Sequence, residues 1–116
     1  PGPAVEVEIG GALHDLSPAV TAALHRLARE SVTNARRHAR DAGLVRVRVD
    51  ADDASVRLSV SDDGDTGRLR PAAPPGYGII GMAERAELLG GTCEAAPNPD
   101  GGWTVTAVLP RSGAPA

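Results

Sequence analysis

Phenylalanine and lysine are absent from this chain of 116 residues, and cysteine, methionine, tryptophan and tyrosine occur once each. Each scarcity excludes something. With aromatics at 2%, the core has to be built from Val, Leu, Ile and Ala. The lone Cys93 rules out an internal disulfide and suits a reducing compartment. No apolar run approaches the ~18 residues of a membrane span, and no signal peptide is visible. With no lysine, all 12 basic residues are arginine, which reads as the codon bias of a GC-rich genome. Net charge is −3, and no basic tract argues for nucleic acid. The chain opens on Pro1, without Met, and reads as a piece of something larger. Its length suits one domain, and a chain of this size buries roughly 65% of its unfolded surface.

What is present has an α/β rhythm. VEVEI (5–9) alternates as a strand does. Asp15 or Ser17 can cap a helix with Pro18 in its first turn, and that helix runs to about Ala42, ended by Gly43. Val20, Leu24, Leu27, Ala28, Ser31, Val32 and Ala35 recur at spacings of three and four and form its buried stripe. Two alternating runs, 45–51 and 55–61, flank a short acidic turn. They predict antiparallel neighbours with Val45, Val47, Val49, Val56, Leu58 and Val60 facing the helices. Residues 65–77 are rich in Pro and Gly and predict an exposed, mobile loop. A second helix is expected over about 79–89, ended by Gly90 and Gly91. Strands near 92–96 and 103–109 flank the turn NPDGG. The expected fold is α+β: a two-layer sandwich with a mixed, mostly antiparallel sheet and helices on one face. Residues 1–110 form the domain, and 111–116 a disordered tail.

Three clusters carry chemistry. Glu30, Asn34 and His38 stand four apart and drift only about 40° per step round a helix, so they share one side. Asn34 is a poor mid-helix residue, and its amide oxygen suits Mg²⁺, which prefers a few protein oxygens plus phosphates and water. Glu30 can hold a metal-bound water or act as a base. The plain alternative is an exposed polar face with an Arg/Glu pair. Zinc is disfavoured, because no second His or Cys stands at ligand spacing. Asp62, Asp63 and Gly64 close an alternating run. Asp-Asp-Gly often makes only a turn, but a carboxylate held at a strand end can also accept a hydrogen bond from an exocyclic amine such as that of adenine.

The third cluster, GYGIIGMAERAELLGG, contains G-x-G-x-x-G at Gly76, Gly78 and Gly81. A dinucleotide fingerprint must follow a strand in a βαβ unit. Here it follows RPAAPP, with no crossover to a parallel strand expected, so that reading is rejected. The underlying physics remains: glycines admit phosphate to the backbone, and a helix N-terminus offers N–H groups and a positive dipole. The alternative is a hinge and a helix start.

RLARESVTNARRHA, SVSDDG and GYGIIGMAERAELLGG…GGWTVTAVLP together resemble the N, G1, G2 and G3 boxes of the GHKL ATPases. They are most similar to those of sensor histidine kinases with a short ATP lid and a G-x-G-I/L-x-G-M-x-E-R box. The resemblance spans the first strand to Pro110. It implies Mg²⁺-ATP binding by the cytoplasmic catalytic domain of a membrane-anchored bacterial parent, with no direct membrane contact by the domain itself. By resemblance Asn34 chelates Mg²⁺, and Glu30 polarises the attacking group or holds metal water. His38 lines the phosphate side, Asp62 reads adenine N6 and Gly64 lets the base approach. Gly76, Gly78 and Gly81, with Ile79 among them, surround the phosphates, and Thr104 belongs to the cofactor site.

Two departures stand out. Thr66 replaces the second glycine of D-x-G-x-G, with Gly67 one residue later. Trp103 stands where the G3 box often has Thr. Neither removes a charged or metal-binding group. The family's phosphoacceptor is a His on a separate dimerising helical hairpin, and none of His14, His25 or His38 has that context. The implied partners are that hairpin and, through the full kinase, a response regulator. The alternatives are an anti-sigma-factor serine kinase of the same superfamily, which the G-M-x-E-R helix argues against, and a degenerate nucleotide-binding interaction module.

Overall fold

The computed structural model describes residues 4–11, 13–38, 43–64 and 77–112. Of the loop expected over 65–77, residues 65–76, Gly76 among them, lie outside the described residues, as do 113–116 of the tail and the side chains of His38 and Ile79, while Tyr77 begins a helix. The elements are β1 (Ala4–Gly11), α1 (Pro18–His38), β2 (Leu44–Ala51), β3 (Ser55–Asp62), α2 (Tyr77–Leu88), β4 (Thr92–Pro97) and β5 (Trp103–Pro110). One five-stranded sheet runs in the order β1-β2-β3-β5-β4, with β1 and β2 parallel and every other neighbouring pair antiparallel. This is the mixed, mostly antiparallel α+β layout expected from the alternation.

Local chemistry explains the element ends. Ser17, not Asp15, caps α1: its Oγ accepts from the Val20 N–H at 3.2 Å and its carbonyl from Thr21 at 3.0 Å. Asp15 instead has a φ of 63°. Helix α2 stops at Gly90, whose φ of 81° is left-handed, and the Gly91 N–H returns to the Ala86 carbonyl at 2.8 Å. This is the Schellman arrangement that satisfies the last carbonyls of a helix. The β2–β3 turn closes on Asp52, whose Oδ1 accepts from the N–H groups of Ala54 and Ser55, each at 2.8 Å.

Both helices cover the same face of the sheet. Leu27, Val45, Val56, Leu58, Met82 and Leu109 are buried there, joined by Val20 and Ala23 of α1. Of the expected α1 stripe, Val20, Leu27 and Ser31 are fully buried, while Leu24, Ala28, Val32 and Ala35 are half-buried. The inward face is therefore centred nearer Ala23 than the spacing suggested. Val49, expected inward, is also half-buried. Strand β1 is exposed along its whole length. Its Val5, Val7 and Ile9 pair with Val45, Val47 and Val49 in β2, on the helix side of the sheet. No helix of the described residues is long and apolar enough to cross a membrane.

The path of α2 differs in one respect from the expected absence of a crossover to a parallel strand. Helix α2 does lead into a strand that runs in the sense of β3, namely β4. That strand is not a neighbour of β3, because β5 lies between them and is antiparallel to both. A dinucleotide-binding βαβ unit places its two strands in one parallel sheet beside the helix. Here the one parallel neighbouring pair flanks α1 instead.

Candidate functional site

The alternation of β3 settles which of two adjacent aspartates faces the helices. Val56, Leu58 and Val60 are buried, and Asp62 is the next residue on that side, with 8% of its surface exposed. Asp63 points away. Its Oδ1 accepts from the N–H groups of Gly43 and Leu44 at 2.9 and 3.0 Å, and its own N–H donates to the Leu44 carbonyl. Asp63 thus clasps the entry to β2, while Asp62 stands at the strand end under the helices. Asp62 Oδ1 accepts from the Gly64 N–H at 3.0 Å, which fixes the first step of the chain beyond the strand.

The NPDGG turn folds back onto Asp62. Gly102 has a φ of 83°, and a Cβ there would lie 2.0 Å from the Asp62 carbonyl oxygen and 2.7 Å from its Oδ1. Only a bare α-carbon allows this approach, in a conformation glycine tolerates without penalty. Asn98 ties the turn down: its Nδ2 donates to the Asp62 carbonyl at 3.2 Å, and its N–H to the Gly102 carbonyl at 2.8 Å. The Thr104 hydroxyl donates to Asn98 Oδ1. Thr104 is in register with Ser61, on the sheet face away from Asp62's side chain. Its link to Asp62 therefore runs through Asn98 and main chain. Trp103 is half-buried at the start of β5, opposite Pro97.

On α1, Glu30 and Asn34 are both half-buried. Glu30 Oε2 meets Arg85 Nη1 of α2 at 3.3 Å. One residue on, the buried Ser31 hydroxyl lies 3.3 Å from Met82 Sδ. These two contacts run in opposite senses along the helices, so the N-terminal end of α2 lies toward the C-terminal end of α1. Asn34, a turn beyond Glu30, is carried toward the first turn of α2, where Gly78 and Gly81 sit. Among the described residues a Cβ at Gly81 would meet nothing within 4 Å, so their packing gives no reason for glycine there.

The structure thus places Asp62 and Gly64 at the end of β3 on the helix-covered side of the sheet, and Glu30, Asn34 and Gly81 on the two helices of that side. Thr104 is set back from them. Sequence reasoning assigned no role to Arg85, Asn98 or Gly102. Arg85 was visible in the G-M-x-E-R pattern and Gly102 in the turn, but their partners are distant in sequence. No group of three or more His, Cys, Asp or Glu able to hold a metal alone occurs among the described residues. A shallow apolar cleft of about 250 Å³ between Ser55, Gly90, Gly91, Thr92 and Val108 lies at the opposite end of β3 from Asp62. It gathers none of these groups.

Residues 19–113 match the family model described as histidine kinase-, DNA gyrase B- and HSP90-like ATPase. The chain belongs to that ATPase family. Among curated relatives, it is 41% identical over 96 residues to the methanol utilization control sensor protein MoxY of Paracoccus denitrificans, covering 78% of this chain and 20% of that protein. It is 38% identical over 90 residues to the nitrate/nitrite sensor protein NarQ of Escherichia coli, covering 77% of this chain and 16% of that one. The chain therefore spans a fifth or less of these relatives' length. Its fold matches that of the Erythrobacter litoralis EL346 blue-light activated histidine kinase, with a TM-score of 0.73 at 22% identity over 94% of this chain and 36% of that one. The catalytic domain of histidine kinase ThkA matches with a TM-score of 0.67 at 16% identity, over 93% of this chain and 80% of that one. The family resemblance read from the four boxes is borne out, as is the fold class.

Proposed function

We propose that this ATPase-family domain is the catalytic domain of a two-component sensor histidine kinase. It binds Mg²⁺-ATP and donates the γ-phosphoryl group to a His on a separate dimerisation hairpin. The observation that carries this is the buried Asp62 carboxylate at the end of β3, backed by the bare α-carbon of Gly102. An acceptor-only group held rigidly in a half-open apolar layer favours a ligand with an exocyclic amine, as adenine has. Gly64 leaves room for the base beside it.

The phosphates then lie toward the first turn of α2, where Gly78 and Ile79 offer main-chain N–H groups and the positive end of a helix dipole, with Gly76 and Gly81 as the outer glycines of the box. The donors on α1 fit a magnesium ion shared with phosphate. A side-chain amide and one carboxylate cannot hold the ion alone, but they can complete a shell that is otherwise phosphate and water. Bound there, the ion would neutralise charge on the phosphates. Asn34 would be its ligand and Glu30 would orient the attacking group or a water, while the family resemblance assigns His38 to the phosphate side. The imidazole nitrogen lone pair forms the Pγ–N bond as the Pγ–O bond to ADP breaks, and the proton on the other ring nitrogen passes to solvent water. The protein's share is positioning and charge placement. The full kinase passes the phosphoryl group to a response regulator, and the domain works on the cytoplasmic side of its parent.

Calorimetry with ADP tests the nucleotide reading. A Kd of 10–100 µM, about −5.5 to −7 kcal/mol, is the expected range. Asn34→Ala should abolish the Mg²⁺-dependent part of the affinity and leave adenine recognition. Asp62→Ala should weaken ATP and ADP alike and erase preference over GTP, because guanine offers a carbonyl where adenine has an amine. No binding to a folded sample at millimolar nucleotide sinks the proposal. Labelled ATP with the hairpin in trans identifies the acceptor. Acid-labile label on His is the expected result, label on Ser would mean an anti-sigma-type kinase, and binding without label a degenerate module.

A further inference from the structure

We infer that Arg85 is a positioning residue for Glu30: it holds one oxygen of the carboxylate so that the other faces the reacting group. This deepens the kinase reading and rests on it. Glu30 stands one turn before Asn34 on the same side of α1, and Arg85 one turn after Gly81 on α2. Their contact crosses between the helix that carries the metal-side donors and the helix that carries the phosphate-side glycines. It is half-sheltered, with 28% of the Arg85 side chain and 42% of the Glu30 side chain exposed. That shelter lets an ion pair restrict a side chain more than a fully solvated pair does.

The contact is a single one. Nη1 meets Oε2 at 3.3 Å, and no hydrogen bond to Glu30 Oε1 occurs among the described residues. A two-point fork would occupy both oxygens and silence the carboxylate toward any third group. One-point holding does the reverse: it removes rotamer freedom from a long acidic side chain and leaves an acceptor oxygen available. Glu30 so held keeps Oε1 available to accept a hydrogen bond from the attacking imidazole or a water. The neighbouring Ser31–Met82 contact is buried and staples the same two helices, so Arg85 is not needed merely to bring α1 and α2 together.

The test is a double-mutant cycle on phosphoryl transfer to the hairpin in trans, with ADP calorimetry and thermal unfolding on each variant. Arg85→Gln should lower kcat roughly 10- to 100-fold, the scale of a misplaced catalytic group. The KM for ATP and Kd for ADP should stay within about twofold, since binding groups are untouched. Glu30→Gln should lower kcat as well, and the double variant should be no slower than the slower single one, because Arg85 acts through Glu30. Arg85→Lys should recover most of the rate, as a one-point contact needs a cation but not a planar fork. The inference is overturned if Arg85→Gln keeps the wild-type rate, loses ADP affinity in step with kcat, or multiplies with Glu30→Gln. If the wild-type domain binds ADP yet gives no label on His, the kinase reading fails and this inference fails with it. A labelled wild type with an indifferent Arg85→Gln overturns the inference alone.

Discussion

Replacing Gly102 by alanine tests whether the NPDGG turn exists to shape the Asp62 site. The added Cβ would stand 2.0 Å from the Asp62 carbonyl oxygen and 2.7 Å from both its carbonyl carbon and Oδ1. Two of those three atoms are main chain, which cannot swing aside as a flexible side chain can. Relief demands a shift of about 1 Å before the closest contact reaches the shortest that real Cβ atoms show. The left-handed φ of 83° adds about 1–2 kcal/mol for a non-glycine residue. Moving the turn also stretches the hydrogen bond from Asn98 Nδ2 to the Asp62 carbonyl, worth about 1 kcal/mol.

The sum is about 2–3 kcal/mol, which lowers Tm by roughly 8–12 °C at about 4 °C per kcal/mol for a domain of this length. Because the retreat moves Asp62 itself, affinity for ADP should fall about tenfold or more, or roughly 1.4 kcal/mol. Thermal unfolding and ADP calorimetry on Gly102→Ala read the two effects. Gly10→Ala serves as control: among the described residues its Cβ would meet only Asp50 Oδ1, at an ordinary 3.6 Å, so it should leave ADP affinity unchanged and should not lower Tm. A Gly102→Ala variant within 1 kcal/mol of wild type in unfolding, or with unchanged ADP affinity, refutes the argument.

Gly81→Ala should move stability and binding in opposite directions. Its Cβ meets nothing among the described residues, so the helix gains about 0.5–1 kcal/mol in denaturant unfolding, while nucleotide affinity drops if this glycine admits phosphate; equal or better ADP binding would remove Gly81 from the site. Asp52 has a lowered pKa because the Ser55 and Ala54 N–H groups bond its carboxylate. The unfolded chain therefore binds the proton more tightly, and this contribution is present above the ordinary carboxylate range near pH 4 and lost as pH falls through the lowered folded value. Asp52→Ala should lower Tm at pH 7 and converge with wild type in acid, whereas a pH-independent difference would mean packing is responsible.

Much of this layout could be read before any coordinates, for identifiable reasons. A strand's side chains alternate strictly, so the burial of Val56, Leu58 and Val60 also directs Asp62 inward and Asp63 outward. Choosing between the two aspartates then needs no knowledge of the rest of the fold. A helix is less exacting. Val20, Leu24, Leu27 and Ala28 define a broad stripe, and only the position of the sheet decides that Ala23 is inside while Leu24 is half-covered. Strand β1 is legible as a strand but its burial is not, because alternation in VEVEI looks the same whether or not a helix covers the apolar side. In the structure α1 leaves Ile9 63% exposed.

The site residues that escaped detection share one property: their roles are relations across the sheet or between helices. Arg85 and Glu30 are 55 residues apart, and Asn98 and Asp62 are 36 apart. No periodicity spans such distances. Gly102 looks like any turn glycine until β3 and β5 pair. The pairing of Ser61 with Thr104 then fixes how far the turn reaches past the strand end, and so places its bare α-carbon against the Asp62 carbonyl. The same register sets the Thr104 hydroxyl on the opposite face, where it reaches Asp62 only through Asn98. A one-residue slip would exchange the faces of residues 103 and 104, putting the hydroxyl beside Asp62 and the indole outside. The identity of the residue behind the carboxylate is therefore a consequence of strand register, and an account of base recognition in this domain has to begin from the β3–β5 ladder as well as from the boxes themselves.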